Sequence, residues 1–321
     1  MYLKRILIKD LESHLPDDID AFICCSSFEA RCKTIAQNVS AKRFRWVIIA
    51  ENENLFEVGL RNTMEFHSRF SSKIIIKMKV SGHSPIITED AVAYSIANAL
   101  SQGAKSFLID TTTFTRETLL ILLNYFHKYI DRFGELTFLY TGASEYSVGD
   151  LPERMWLSRG IREIRSVLGF PGNIMPARRS HLIILLGFEA DRAARLIEQY
   201  EPSILSIGYG PKDTSITPAH HEMNVYFCRK LMAMYSNVLK FSFPPNDSLG
   251  TKRAIQKQIN KFPNTNVIVS GMNTKLSTIG TALAAFDNSE IQLAYAEPDI
   301  YNFSGYSAPG SHCYVFDLPL R

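Results

Sequence analysis

Three blocks of this sequence occur twice, in the same order, about half a chain apart. AFICC at 21–25 runs into SSFEARCKTIAQNV, and HLIILL at 181–186 runs into GFEADRAARLIEQY, which sets Phe28-Glu29 over Phe188-Glu189. FLIDTTTFTRETLLILL begins at Phe107 and VIVSGMNTKLSTIGTAL at Val267, the same separation. FLYTGASEYSVG (138–149) answers LAYAEPDIYNFS (293–304), pairing Tyr140 with Tyr295 and Tyr146 with Tyr301. A period this long exceeds that of stacked-repeat proteins and points to two tandem domains.

Each copy reads as the same series of elements. A short apolar strand enters an amphipathic helix (Phe28, Cys32, Ile35; Phe188, Ala193, Leu196, Ile197), and a second strand follows (44–50; 203–210). After another helix come a third strand (74–80; 238–243), a helix, the FLID or VIVS strand, a helix, and the FLY or LAY strand. Apolar runs alternating with helices predict parallel sheets covered on both faces. The expected fold is α/β: two tandem Rossmann-like, doubly wound parallel-sheet domains related by internal duplication. Copy one is expected over 1–150 and copy two over 181–321. Residues 151–180 read as a basic linker with one short helix in PERMWLSRGIREIRSVL.

Composition narrows the class. With 321 residues, 46% hydrophobic and 20 Phe, the chain can bury two cores and is not disordered. No apolar run approaches the ~18–20 residues of a membrane span, and the start has no signal-peptide pattern. Five cysteines without a C-x-x-C pair predict reduced thiols, Cys24 and Cys25 within the core, and a cytoplasmic location. The net charge of +3 is too small to imply nucleic acid. The excess sits in 151–180, where Arg154, Arg159, Arg162, Arg165, Arg178 and Arg179 face only Glu153 and Glu163; that segment reads as a solvated face or a phosphate contact. The Tyr-rich tail 295–314 reads as an interdomain or stacking surface.

Ligands of open parallel sheets bind beyond the carboxyl ends of the strands. The segment Ser270, Gly271, Met272, Asn273, Thr274, Lys275 is the most pointed candidate there, because a small hydroxyl-rich turn opening a helix offers free N–H groups to an anion. Asp110, Thr111 and Thr112 hold the matching place in copy one, with Arg116 a charge nearby; Gly187 and Glu189 follow the first strand of copy two. The same turns also read as ordinary helix caps. No Walker A, G-x-G-x-x-G, G-x-S-x-G or H-E-x-x-H pattern occurs, which excludes the standard P-loop, dinucleotide, hydrolase-elbow and zincin sites.

VIVSGMNTKLSTIGTALAA resembles the strand–turn–helix of CRISPR-associated Rossmann-fold (CARF) domains, and the tandem arrangement resembles the SAVED sensors of bacterial anti-phage systems. The resemblance implies a nucleotide or oligonucleotide ligand and a sensor or accessory subunit in prokaryotic defence, with a protein partner or self-association. Copy one departs from the motif, with Thr111-Thr112-Thr113 where it has glycine.

Two other readings stand beside this one. Glu29, Glu53 and Asp110 could converge as oxygen ligands of Mg²⁺ or Mn²⁺ in a nuclease or nucleotide hydrolase, with Glu189, Asp213, Glu297 and Asp299 as copy two's acids. A scaffold without catalysis is the third. The recurrence of Glu29 and Glu189, with Arg31 and Arg192 close by, favours a shared structural or binding role over one catalytic event.

Overall fold

The computed structural model describes residues 3–52, 57–146, 156–215, 217–303 and 307–320. The elements run β1 (Leu3–Leu7), β2 (Ala21–Ser26), α1 (Cys32–Asn38), β3 (Trp46–Asn52), α2 (Glu57–Arg69), β4 (Ile74–Val80), α3 (Pro85–Ser101), β5 (Phe107–Asp110), α4 (Arg116–Lys128) and β6 (Leu136–Tyr146). Then come β7 (Ser158–Arg159), β8 (Glu163–Pro171), β9 (Ser180–Leu185), α5 (Ala190–Tyr200), β10 (Ile204–Tyr209), α6 (Pro218–Met234), β11 (Val238–Ser242) and α7 (Ser248–Lys261). The chain closes with β12 (Asn266–Gly271), α8 (Lys275–Asp287), β13 (Gln292–Glu297), β14 (Ile300–Tyr301) and β15 (Ser307–Phe316). Among the described residues no helix is long and apolar enough to cross a membrane.

The chain forms two α/β units. The first comprises Met1–Glu145 with Ser307–Arg321, the second Tyr146–Tyr306. The first holds a seven-stranded sheet, β1-β15-β6-β5-β2-β3-β4; the second a six-stranded sheet, β11-β10-β9-β12-β13-β8. In both, the parallel strands stand in the order third, second, first, fourth, fifth, and one further strand follows the fifth: β15 in the first unit and β8, antiparallel to β13, in the second.

Burial on both faces explains the unbroken apolar runs. In β2, Phe22 and Cys24 enter one core with Ile35 of α1 and Phe66 of α2, while Ala21, Ile23 and Cys25 are equally buried on the opposite side. On that side Phe126 of α4 packs edge-on against Phe107 and Phe138. In the second unit Leu182, Ile184 and Leu186 join Leu196 of α5 and Leu231 of α6. All five cysteines are buried free thiols.

Two expectations are corrected. The helix expected within 151–180 is not formed over its described part: 163–171 is β8, antiparallel to β13 and part of the second unit. Two of its cations are paired there: Arg165 meets Glu163 on its own strand at 2.5 Å and Glu297 across the strands at 2.7 Å, and Arg162 lies 3.7 Å from Glu297, so Arg162 and Arg165 are neutralised inside the unit. Arg154 and Glu153 lie outside the described residues. The second unit also ends at Tyr306 rather than at 321, because β15 pairs antiparallel with β1, Leu3 opposite Phe316, and returns the C-terminal end to the first unit. Phe316 stacks on Phe138 with centroids 5.8 Å apart. Within the described part of 295–314, residues 307–314 are therefore paired strand with Cys313 in the core, and Tyr295 is itself buried.

Candidate functional site

A buried arginine clamp stands beside the first parallel strand of each unit. In the first, Glu29 Oε2 accepts from Arg31 Nη2 at 2.5 Å, from Arg31 Nε at 3.0 Å and from Ser307 Oγ at 2.8 Å. Arg31 Nε also donates to Ser307 Oγ at 2.8 Å, and Nη1 donates to Thr141 O midway along β6 at 3.1 Å. In the second, Arg192 Nη1 donates to Glu189 Oε2 at 2.7 Å, Nη2 donates to Ala296 O at the end of β13, and Ser158 Oγ donates to Glu189 Oε1. Both pairs are almost excluded from water. A buried pair of this kind survives because its remaining donors and acceptors are bonded as well. One difference separates the clamps. Ser158 Oγ takes its arginine bond from Arg192 Nη1, which leaves the Nε–H buried with no hydrogen-bond partner.

The turns after the fourth strands are bonded inward. Ser270 Oγ donates to Ala294 O, Asn273 Nδ2 to Leu186 O at 2.6 Å, and Thr274 Oγ1 to Pro245 O while accepting Ser277 N as the N-cap of α8. Lys275 is half-buried as the first residue of that helix. At Gly187 a Cβ would run into the backbone carbonyl of Met272, so the two turns of the second unit meet where only glycine fits. In the first unit Asp110 Oδ1 accepts Thr112 N at 3.0 Å, Thr111 Oγ1 donates to Leu139 O, and Thr113 Oγ1 donates to Cys25 O. Burial raises the Asp110 pKa to about 7 against the opposing effects of Thr112 and Arg31. These turns knit neighbouring strands together.

A pair of asparagines that sequence reasoning missed does the same work. Asn62 of α2 donates from Nδ2 to Ser27 O at 2.7 Å. Asn224 of α6 donates to Leu186 O and Gly187 O, both at 2.8 Å, and accepts Gly210 N at 2.8 Å. Each is buried and each holds the loop after the first strand. The available signal was their shared place on the helix after the second strand, about the same distance apart as the repeated blocks.

The second unit contains a cavity of about 580 Å³ at the N-terminus of α5, within the size range of small-molecule sites. Trp156, Phe188, Tyr226 and Phe227 give it aromatic walls. Arg159, Arg192, Arg195 and Lys230 supply four cations against Glu189 and Asp191, a lining that is net positive by two. Arg159 lies over the Trp156 ring, 4.5 Å from its centroid, with no carboxylate in ion-pair range among the described residues. Arg195 pairs with Glu198, and Lys230 lies 3.4 Å from Asp191. The N-cap of α5, Glu189, makes no side-chain capping bond, so the first turn's N–H groups keep their positive end at this wall. Of the sequence-predicted residues Glu189 lines this cavity; Gly187, Ser270, Gly271, Asn273, Thr274 and Lys275 do not. Trp156, Tyr226 and Lys230 lie outside the repeated blocks that drew attention to the rest.

Among the described residues the alternative metal site has no assembled ligand set. Glu53 lies outside the described residues, Glu29 is held by Arg31 and Ser307, and Glu297 is held by Arg165. Among the described residues no three His, Cys, Asp or Glu side chains group to hold a metal ion. No protein-family model matches the chain, and no curated protein matches it.

Proposed function

We propose that the second unit is a binding module for an anionic ligand of nucleotide type, seated in the cavity at the N-terminus of α5. The single observation that carries this reading is the unpartnered, buried Nε–H of Arg192 in a cavity wall that also offers aromatic faces and free positive charge. An unmade bond at a buried charged group costs ~1–3 kcal/mol or more, and an anionic oxygen of the ligand removes that cost. Trp156 and Tyr226 provide faces on which a base stacks, and Arg159 and Lys230 neutralise phosphate. The first unit is then the closed counterpart, since Ser307 already accepts from Arg31 Nε.

The matching strand orders and the matching clamps support descent of both units from one duplicated Rossmann-like domain. With that duplication, a signal-binding role of the CARF and SAVED kind, in a prokaryotic defence system, is the reading we favour over hydrolase or scaffold. The test is equilibrium binding of a panel of mono-, di- and cyclic nucleotides to the whole chain. Binding that weakens at least about tenfold in Arg159→Ala, with the fold unchanged, supports the assignment. Failure of the whole panel to bind, or equal binding by that variant, contradicts it.

A further inference from the structure

The first unit carries a separate basic groove at the opposite, amino-terminal edge of its sheet. Its volume is about 370 Å³, and Lys42, Arg43, Arg45 and Lys73 line it with one acid, Asp20. Register explains the clustering. Ala21 stands opposite Trp46 and Trp46 opposite Ile74, so Asp20, Arg45 and Lys73 lie side by side one step before β2, β3 and β4. The backbone there is fixed: Arg45 N donates to Asp20 O at 2.9 Å and Ile74 N to Arg45 O at 3.1 Å.

The charges in this row are not balanced from within. Arg43 is used up, donating to Glu12 Oε1 at 2.5 Å, to Glu12 O and to Pro16 O. Asp20 is also engaged: its Oδ2 accepts Lys105 N, Ser106 N and Ser106 Oγ at 2.8–2.9 Å, and those bonds outweigh burial and lower its pKa. Lys42, Arg45 and Lys73 have no carboxylate within ion-pair distance among the described residues. Arg45 instead lies over Trp46, 4.6 Å from the ring centroid. Like charges on adjacent strands repel, and an anion lying along them offsets that repulsion.

We infer that this groove binds a chain of phosphates, carried by a free polyphosphate or by a nucleic-acid backbone. A row of separate cations suits several phosphates in series better than one carboxylate. The inference does not depend on the cavity of the second unit. It is tested on the full chain with two probes, sodium tripolyphosphate by calorimetry and a fluorescein-labelled single-stranded oligonucleotide by anisotropy. The expected result is saturable binding of at least one probe, weakened at least about tenfold when Lys42→Ala, Arg45→Ala and Lys73→Ala are combined. For the oligonucleotide, the salt slope then moves from about −2 toward zero, as three lost phosphate contacts require. Binding of both probes assigns the phosphate chain itself as the ligand, and binding of the oligonucleotide alone assigns a nucleic-acid backbone. The inference is overturned if neither probe binds, if the triple variant binds like the parent, or if Arg159→Ala rather than the triple variant abolishes binding.

Discussion

Arg192 donates to Glu189 Oε2 at 2.7 Å while its Nε–H stays buried without an acceptor. The equivalent guanidinium of the first unit, Arg31, has both Glu29 and Ser307 at its Nε. The same clamp thus locks the first-strand loop to a backbone carbonyl of the fifth strand in both units, Thr141 O in one and Ala296 O in the other. It is complete in the first unit and one bond short in the second.

The clamps should be among the costliest places to mutate. Glu189→Ala strands a buried guanidinium, and Glu29→Ala does the same in the first unit. Urea unfolding should report a loss of ~3–5 kcal/mol for each variant. A loss below ~1 kcal/mol would mean that the arginine finds another partner.

Asp110 predicts a pH dependence of opposite sign to that of an ordinary paired carboxylate. Its folded-state pKa is raised to about 7 by burial, above the ordinary aspartate value of 3.8. The folded state therefore holds the proton more tightly than the unfolded state. Its contribution is fully present below the unfolded pKa and is lost as pH rises through about 7. Asp110→Asn should flatten stability between pH 5 and 8 and gain more than ~1 kcal/mol at pH 8. Unfolding midpoints across that range check it; an unaltered profile contradicts the assignment.

Asn224 makes three buried hydrogen bonds and Asn62 one, all to loop backbone. Asn224→Ala is expected to lose ~1–3 kcal/mol, and Asn62→Ala less. Chemical denaturation of both variants distinguishes this from a surface role, for which both would change by under ~0.5 kcal/mol.

The parallel core was legible because both faces of each strand are buried and the apolar runs are continuous, as in LIIL of β9. The helix cap at Thr274 was equally legible as local chemistry. The fate of the C-terminal end was not. Cys313 and Val315 alternate as a strand should, but their partner β1 lies at the other end of the chain, and nothing local names it. β8 misled because Arg162, Glu163 and Arg165 have the look of a charged helix face, whereas the buried carboxylate that Arg162 and Arg165 share, Glu297, sits across the strands. The repeated blocks drew attention to what the units share, the Glu29 and Glu189 clamps. The cavity depends on Trp156 before β7 and on Tyr226 and Lys230 of α6, all outside the repeated blocks.

The central claim, an anionic ligand at the N-terminus of α5, is tested most directly by tryptophan fluorescence. The chain has two tryptophans: Trp46 is buried in the first unit, and Trp156 lines the cavity. Titrating the nucleotide panel should change the emission of the parent saturably, and Trp156→Phe should abolish the change while Arg159→Ala shifts the midpoint at least about tenfold. A saturable change that persists in Trp156→Phe, or no change with any nucleotide, would contradict the account.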